Sequence, residues 1–401
     1  MSKNIAIIGA GASGIVCAIE LAKKNYQVTL FEKNNKIGKK LLATGNGKCN
    51  ITNKNISKSN FHSTNSNFID YILANFSYTT CKSFFSNIGI EFVDNTNNKI
   101  FPNTLSSSSV VELLYYEAIR CGVKIILNQE ILSIEKKDNF ILNDNLIFDK
   151  VILANGSSAM KKLGGTNSGY SLATQLGHTI IEPFSSLVQL ICDEKQEYLD
   201  IASGLKIQAK INNTIGDLLF TKYGLSGSMI LDISRDISYT LQYETSTKII
   251  LDTMPTFSKD KLKDILIKRL KIAYNKNIAL WLDGFIPQKL TLFILKKSNI
   301  KKQFAKDLTK KDILQFVFLL KNLEFNIKST RGFEFAECCG GGVDTFEINN
   351  KTFQSKIVKD LFIIGELLDI DGDCGGYNLH FAWGSGYLCA KNIDHKTLHN
   401  E

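Results

Sequence analysis

The chain has 401 residues, 44% of them hydrophobic, which is enough for two domains with apolar cores. Its formal net charge is +9, and its nine cysteines lack the spacing of metal ligands or of a C-x-x-C pair, so reduced thiols, a cytoplasmic location and no metal site are predicted. A strand predicted near the first residues leaves no room for a signal peptide, and no apolar run reaches the roughly 18 residues of a membrane span.

A glycine-rich turn between a buried strand and a helix opens the chain. Gly9, Gly11 and Gly14 form a G-x-G-x-x-G pattern after a continuous apolar run of the kind found in central parallel strands. The pattern assigns Gly9 to the tight turn, Gly11 to close approach of a pyrophosphate and Gly14 to helix–strand packing. The next predicted strand ends in Glu32, which is placed to accept both ribose hydroxyls. The start of the chain therefore predicts a dinucleotide site and leaves NAD and FAD as alternatives.

The segment 38–53, GKKLLATGNGKCNITN, contains three glycines and three asparagines, so neither a lasting helix nor a lasting strand is predicted there. Its glycines would allow backbone N–H groups to lie against a ligand, and a Gly/Asn-rich surface loop is the alternative. Cys49 is followed by no other cysteine before Cys81, so dithiol chemistry is not predicted. The side chains expected to offer charge or hydrogen bonds to the ligand are Lys39 or Lys40, Thr44, Asn46 and Asn50.

The middle of the chain changes from parallel-sheet signals to a mixed pattern. The stretches 123–131 and 149–156 are predicted to be strands that complete a parallel sheet. Short alternating stretches over 187–253 predict antiparallel strands. The lysine-rich run 296–311 is interpreted as a solvated helical face. Amphipathic helices, the last with an S/T-x-x-D start signal, are predicted at 259–274, 288–297 and 310–323.

The C-terminal part of the sequence has a second pattern that is typical of a ligand-binding site. A buried strand at 361–364 is followed by Gly365 and Glu366, at the edge where open α/β sheets bind ligands. A loop with three aspartates comes next, and it lacks the twelfth-position acid of a calcium loop, so a turn is predicted. Asn378 then begins a helix whose two interior glycines predict close approach to a sheet or a ligand.

Seven motifs in order along the chain resemble one bacterial family. They span residues 5–390 and read GAGASG, GKKLLATGNGKCNITN, FP (101–102), GGTNSGYSLATQLGH, LLFTKYGLSGSMIL, GFEFAECCGGGV and GELLDIDGDCGGYNLHFAWGSGY. The family comprises flavoproteins identified as NAD(P)/FAD-dependent oxidoreductases, also called the aminoacetone-oxidase or bile-acid-inducible flavoprotein family. Its FAD domain has the glutathione-reductase superfold.

The resemblance implies an α/β protein with a two-part FAD domain. A discontinuous Rossmann-like domain, a parallel sheet with helices, is expected at 1–187 and 335–401. An inserted domain is expected at 188–334, β-rich over 188–255 and helical over 256–330.

The same resemblance implies which residues form the cofactor site. The residues expected to bind FAD are Gly9, Gly11, Ala12, Ser13, Gly14, Glu32, Lys33, Lys40, Leu41, Thr44, Gly45, Asn46, Asn50, Ile131, Ala154, Asn155, Gly156, Gly365, Glu366, Asp371, Gly376, Tyr377, Asn378 and Leu379. Backbone N–H groups at 377–379 are expected to contact the N1–C2 edge of the flavin ring. The chain departs from the family's usual residues at Lys222, Ser228, Cys338, Cys339, His380 and Phe381. We expect these departures to affect the substrate more than the cofactor.

The predicted function follows from this family. No Ser-His-Asp or Cys-His set stands out, so the flavin is expected to carry the chemistry and no catalytic side chain is assigned. The expected reaction is hydride transfer between a small organic substrate and non-covalent FAD, with NAD(P)H as reductant and with neither a membrane nor a nucleic-acid partner. Two alternatives stay open: a tRNA-modifying flavoprotein, suggested by the positive charge, and a flavin-binding protein without turnover.

Overall fold

A computed structural model of the protein describes residues 3–94, 98–273 and 275–395. Contacts divide the chain into two units, Met1–Ser185 with Phe333–Glu401, and Ser186–Gly332. The first unit is therefore built from two separate stretches of chain, and the second is contiguous. The boundaries expected from the sequence lie two residues later at each junction. Among the described residues, no helix has the length and apolar character that crossing a membrane requires.

The described residues form many short strands and helices. The strands are β1 (Asn4–Ile8), β2 (Gln27–Phe31), β3 (Thr52–Asn53), β4 (Phe61–His62), β5 (Phe92–Asp94), β6 (Lys99–Pro102), β7 (Lys124–Ile126), β8 (Ile134–Lys136), β9 (Phe140–Leu142), β10 (Leu146–Phe148), β11 (Lys150–Leu153), β12 (Ile180–Ser186), β13 (Leu190–Cys192), β14 (Lys206–Ile211), β15 (Thr214–Thr221), β16 (Gly224–Ser226), β17 (Thr247–Leu251), β18 (Leu323–Thr330), β19 (Cys338–Val343), β20 (Leu361–Ile363) and β21 (Asp371–Gly372). The helices are α1 (Ala12–Ala22), α2 (Thr44–Gly47), α3 (Asp70–Asn75), α4 (Tyr78–Asn87), α5 (Ser107–Arg120), α6 (Ser168–Gln175), α7 (Gln196–Ala202), α8 (Ser228–Thr240), α9 (Lys259–Leu270), α10 (Ile278–Leu282), α11 (Gln288–Ser298), α12 (Lys310–Lys321) and α13 (Tyr377–Asn392).

A five-stranded parallel sheet lies in the first unit, in the order β20-β11-β1-β2-β7. The central strand β1 is fully covered: its residues 5–8 are at most 4% exposed, as an unbroken apolar run requires. Because the strands are parallel, the turns that follow β1, β11 and β20 meet at one edge of the sheet. The predicted α/β class, a Rossmann-like parallel sheet with helices, is confirmed.

Helices α1 and α13 approach each other closely enough to require a glycine. A Cβ on Gly386 would lie 2.3 Å from the backbone oxygen of Ser13. On the same helix, a Cβ on Gly384 would lie 2.9 Å from Cδ1 of Phe76. The two interior glycines of α13 therefore allow close packing against neighbouring helices and the segment that follows α3.

A six-stranded antiparallel sheet lies in the second unit, in the order β14-β15-β16-β13-β18-β17. Its strand β18 occupies residues that the sequence analysis assigned to the helical part, and that prediction was wrong. The alternation of buried Leu323, Phe325 and Ile327 with polar residues has the two-residue period of a strand. Within the part expected to be β-rich, the chain also forms the helices α7 and α8.

The three predicted helices of the second unit begin at the predicted residues. The start of α12 is a capping box, in which Thr309 N–H donates to Asp312 Oδ2 at 2.8 Å and Asp312 N–H donates to Thr309 Oγ1 at 3.2 Å. Helix α9 ends at Leu270, and its predicted end, Tyr274, lies outside the described residues. The apolar faces of these helices pack with the antiparallel sheet into one hydrophobic cluster.

Candidate functional site

The turn after β1 has one open glycine between two packed ones. Gly9, at φ +109°, donates its N–H to the backbone oxygen of Phe31 at 2.8 Å. A Cβ on Gly14 would lie 1.9 Å from the backbone oxygen of Gly9, whereas a Cβ on Gly11 would meet no atom within 4 Å. The open space therefore lies at the N-terminus of α1, where unpaired N–H groups and the positive end of the helix dipole favour an anion.

Glu32, directly after β2, turns its carboxylate toward this turn. Its Oε2 accepts a hydrogen bond from Ala10 N–H at 3.0 Å, and its Oε1 accepts from the backbone N–H and the Nδ2 of Asn34 at 2.9 and 2.6 Å. The residue is 8% exposed. Since a carboxylate oxygen has about two acceptor positions, Oε2 keeps one for a ligand hydroxyl while Oε1 already has two donors.

Left-handed backbone conformations shape the segment 38–53. Gly45, Asn46 and Cys49 have φ values of 57°, 56° and 57°, and Thr44 Oγ1 donates to the backbone oxygen of Leu41 at 2.7 Å. The regular structure of the segment is one 3-10 turn, the single-turn helix α2 and the two-residue strand β3. Burial raises the pKa of the Cys49 thiol to about 12, and the thiol is free. The thiol is therefore protonated at neutral pH, which is unsuited to thiolate exchange.

Lys40 and Glu366 form an ion pair between two distant parts of the sequence. Lys40 Nζ lies 2.6 Å from Glu366 Oε2, and Glu366 Oε1 accepts a hydrogen bond from Cys339 N–H at 3.2 Å. Burial lowers the pKa of Lys40, but the opposing effect of Glu366 and of the Cys339 thiol is larger, so the pKa is raised overall. Lys40 is therefore a cation whose charge is already matched, and Lys39 Nζ donates to Asn34 Oδ1 at 3.3 Å.

Within the described part of the chain, six buried side-chain polar atoms have no hydrogen-bond partner, and three of them lie in the first unit: Asn50 Oδ1, Asn155 Oδ1 and Tyr170 Oη. An unsatisfied buried acceptor costs about 1–3 kcal/mol, so such atoms call for a partner. Asn155 follows β11 and lies against α6, because a Cβ on Gly169 would be 2.7 Å from the Asn155 Cβ. Asn50 lies beside the start of α13, where a Cβ on Gly376 would be 3.0 Å from Asn50 Oδ1.

The start of α13 is fixed by side chains rather than by a capping residue. Gly376, at φ +93°, precedes the helix and makes no side-chain cap. Asn378 holds the preceding turn through both ends of its amide: Oδ1 accepts from Gly372 N–H at 2.9 Å, and Nδ2 donates to Gly372 O at 2.7 Å. Asn53 Nδ2 donates to Gly375 O at 3.1 Å. The first turn of any α-helix leaves N–H groups without intrahelical partners, here at residues 377–379.

The structure brings most of the other expected cofactor residues to this edge of the sheet. A Cβ on Gly365 would lie 2.3 Å from Ser13 Oγ, so the turn after β20 contacts α1. Two expected residues are less well connected: Ile131 is buried beyond the end of β7, and Lys33 is half-buried beside Glu32. Within the described segments, neither forms a hydrogen bond or an ion pair with another expected site residue. The remaining ones lie in the turns or helix starts already named: Ala12, Ala154, Gly156 and Leu379, with Asp371 buried in β21.

The aspartates of the C-terminal loop have protein partners. Asp369 Oδ2 accepts from Thr64 N–H at 2.9 Å, and Asp373 Oδ1 lies 2.8 Å from His62 Nε2. Residues 3–94, 98–273 and 275–395 contain no group of three or more His, Cys, Asp or Glu side chains placed to hold a metal ion. These acids therefore shape the turn that leads into α13.

His380, one of the departures from the family's usual residues, lies in the core and does not face a substrate. It is 0% exposed; its Nδ1 lies 2.9 Å from Thr52 Oγ1 and its Nε2 lies 3.0 Å from the backbone oxygen of Phe76. Burial lowers its pKa to about 4, so the ring is neutral near pH 7. A neutral ring donates from Nε2 to the Phe76 carbonyl and accepts from the Thr52 hydroxyl.

Within the motif GGTNSGYSLATQLGH, the sequence leaves two alternatives for residues 164–166, Gly169 and Tyr170: contact with the flavin or the substrate, or a plain loop before a helix. The structure places Tyr170 in α6, buried, with its hydroxyl among the unpartnered polar atoms. Burial raises the pKa of this phenol, so it keeps its proton. Its position two residues after the N-terminus of a short helix was the sequence signal that could have identified it.

A family model described as HI0933-like protein Rossmann domain matches residues 3–392. The chain belongs to this family. The predictions of a Rossmann-type flavoprotein oxidoreductase family and of an oxidoreductase enzyme are confirmed.

Three curated relatives match nearly the full chain. It is 36% identical to a 3-dehydro-bile acid delta(4,6)-reductase of Clostridium scindens, over 97% of this chain and 98% of that protein. It is 33% identical to a ribosomal RNA dihydrouridine synthase of Haemophilus influenzae, over 98% of both chains. It is 29% identical to a ribosomal RNA dihydrouridine synthase of Escherichia coli, over 96% of this chain and 97% of that protein.

Proposed function

We propose that the protein is an FAD-dependent reductase that saturates a carbon–carbon double bond conjugated to a carbonyl group. The observation that carries the proposal is the open space at Gly11, at the N-terminus of α1 and next to the Glu32 carboxylate. The reaction is inferred from the names of the relatives, because a delta(4,6)-reductase of a 3-dehydro-bile acid and a dihydrouridine synthase both saturate a double bond.

The polar atoms of the site fit the chemistry of FAD. The pyrophosphate would take the space at Gly11, and a ribose hydroxyl would donate to the unused acceptor position of Glu32 Oε2. Asn50 Oδ1 and Asn155 Oδ1 are buried acceptors that need donors. FAD has such donors in its ribityl hydroxyls and in the N3–H of its ring, whereas FMN would leave the Glu32 end of the site unused.

Bound and reduced FAD would supply a hydride for the β carbon of the conjugated double bond, and a proton taken up at the α carbon would complete the saturated product. The protein's part is to hold cofactor and substrate and to fix the charges around them. Lys40 stays protonated against Glu366, and the backbone N–H of Cys339 orients the same carboxylate. For the reductant we propose NAD(P)H; residues 188–334 contain no second G-x-G-x-x-G, so the nicotinamide would bind only transiently.

The test begins with the cofactor of the purified protein. Denaturation should release FAD and not FMN, and colourless protein that cannot be reconstituted with FAD would end the proposal. The protein is then reduced anaerobically with NADH or NADPH and offered a 3-oxo-4,6-unsaturated steroid acid, with its saturated analogue as control. Reoxidation of the flavin with a product heavier by two hydrogens is expected. If dithionite reduces the flavin but neither NADH nor NADPH does, NAD(P)H is excluded as the reductant and the rest of the proposal stands.

A uridine in RNA is a second candidate substrate, because its C5–C6 double bond is conjugated to a carbonyl. Two relatives are named as ribosomal RNA dihydrouridine synthases, and the chain carries a net charge of +9. The same reduced protein is offered an unmodified ribosomal RNA transcript, and the RNA is digested and analysed by mass spectrometry. Dihydrouridine at a defined position would favour this candidate. Reduced flavin that neither the steroid acid nor the RNA reoxidises would contradict the proposed reaction.

A further inference from the structure

The positive charge of the protein is concentrated in one part of the second unit. Residues 256–321, which contain helices α9 to α12, hold 16 Lys and Arg against 5 Asp and Glu, a net charge of +11. The rest of the chain holds 32 Lys and Arg against 34 Asp and Glu, a net charge of −2. The +9 of the whole chain is therefore a local property of these helices and not a uniform bias in composition.

The end of α11, the connection after it and the start of α12 carry six exposed lysines. We call them the lysine surface: Lys296, Lys301, Lys302, Lys306, Lys310 and Lys311. Within the described segments, none of the six has a carboxylate within ion-pair distance, and Lys306 Nζ donates to the neutral Asn275 Oδ1 at 2.8 Å. By contrast, Lys297 in the same run is paired with Glu194 and is mostly covered. The six charges are therefore available to an external anion.

The backbone that presents these lysines is well fixed. The capping box of Thr309 and Asp312 holds the start of α12, and Gln315 Nε2 donates to the backbone oxygen of Ser298 at 2.7 Å, which ties α12 to the end of α11. Lys302 and Lys311 both lie close enough to Asp312 to help lower its pKa, after the larger effect of its hydrogen bonds to Thr309. Lysines from the connection and from the helix therefore converge around one point.

We propose that the lysine surface binds the phosphate backbone of RNA. Every exposed residue between 296 and 311 is polar, and the nearest exposed apolar side chains, Leu292 and Leu314, stand singly one helical turn away on α11 and α12. This disfavours a membrane, because surface-bound segments insert a continuous apolar face beside their basic residues. It also disfavours an acidic protein, since such an interface is expected to have buried aromatic or aliphatic anchors. Six ammonium groups with only isolated apolar neighbours are suited to a regularly spaced polyanion, bound without reading its sequence. The choice of RNA rests on the proposed function with its second candidate substrate.

The test compares two triple variants of the full-length protein with the same change in charge. The surface variant carries Lys301→Gln, Lys302→Gln and Lys311→Gln. The control variant carries Lys124→Gln, Lys351→Gln and Lys359→Gln, three exposed lysines of the first unit. Binding to a fluorescein-labelled hairpin transcript of ribosomal RNA is followed by anisotropy from 50 to 300 mM KCl. Vesicles with an anionic lipid are the second probe.

The surface variant is expected to bind the RNA at least roughly tenfold more weakly at 100 mM KCl. The slope of the logarithm of its binding constant against the logarithm of the KCl concentration should be smaller in magnitude by about one for each lysine removed. The control variant should bind within about threefold of the unchanged protein. Equal RNA binding by the two variants, or binding of the unchanged protein to vesicles and not to RNA, would overturn the proposal. FAD content and flavin reduction are measured on all three proteins. If the unchanged protein binds no FAD or its flavin cannot be reduced, the reductase function is contradicted and the RNA-binding proposal is not. Equal melting temperatures show that the variants are folded.

Discussion

Replacing Gly11 by alanine separates cofactor binding from folding stability. Gly11 has φ −79° and ψ −166°, a conformation open to any residue, and a Cβ there would meet no protein atom within 4 Å. Gly11 is the N-cap of α1, where alanine is less favourable than glycine by about 0.5–1 kcal/mol, and this loss opposes the gain of about 0.4–1 kcal/mol from the stiffer unfolded chain. The free energy of unfolding without FAD should therefore change by less than about 1 kcal/mol. If the pyrophosphate occupies the open space, the same methyl group collides with it.

The control for this prediction is Gly14→Ala. Its Cβ would lie 1.9 Å from the backbone oxygen of Gly9 and 3.1 Å from the carbonyl carbon of the same residue, so the start of α1 must move. We expect a loss of at least about 1–3 kcal/mol of stability without FAD, the usual cost of overpacking a tight interior. One glycine of the motif thus tests the ligand, and the other tests the fold.

The assay is denaturant unfolding of the three proteins without FAD and with FAD at 100 times the dissociation constant of the unchanged protein. At that concentration FAD stabilises the unchanged protein by about 2.7 kcal/mol. If Gly11→Ala weakens binding roughly 30-fold, equivalent to about 2 kcal/mol, the stabilisation falls to about 0.9 kcal/mol. An FAD affinity within threefold of the unchanged value would show that no phosphate lies over Gly11.

Three further predictions concern other parts of the site. Glu32→Ala should weaken FAD binding by about 2–4 kcal/mol, since a buried acceptor is lost and the Ala10 N–H is left without it; an unchanged affinity in a fluorescence titration would show that the ribose lies elsewhere. The pKa of His380 is lowered to about 4 in the folded protein, so the unfolded chain binds the proton first and the free energy of unfolding falls as pH drops from about 6.5 toward 4. Between pH 7.5 and pH 5, the unchanged protein should lose about 2 kcal/mol more of its free energy of unfolding than His380→Gln, and equal losses would refute this. Asn378→Leu removes both bonds to Gly372 and should lower the flavin midpoint potential and slow flavin reduction while FAD stays bound; an unchanged potential would show that the start of α13 has no part in tuning the flavin.

The sequence was most informative where one local pattern determines a structure. The apolar run, the glycine spacing and Glu32 predicted β1, α1 and β2 because each depends on neighbouring residues. The S/T-x-x-D signal at Thr309 likewise predicted the start of α12, and the capping box is present. Patterns of this kind are written into a few consecutive residues, so they can be read without knowledge of the fold.

Contacts between distant residues could not be read in this way. The pairing of Lys40 with Glu366 depends on how the turn after β20 meets the segment 38–53, which only the folded chain decides. The helical assignment of 323–330 failed for another reason. The apolar pattern of α12 runs directly into β18, and the change from helical to alternating spacing falls at Leu323, where no glycine or proline marks it.

The close contact between Gly386 and Ser13 joins α1 to α13, so α1 can complete its packing only after α13 has been synthesised. Helix α1 is translated more than 360 residues before α13, which at about 5–20 residues per second is an interval on the order of 20 to 70 seconds. Through that interval the apolar side of α1 that α13 will cover lacks its partner and is open to chaperones. The contiguous second unit, with a hydrophobic cluster of its own, can fold in the meantime. The inserted part of the nascent chain can therefore fold first, and the packing around α1 is complete only when α13 has left the ribosome.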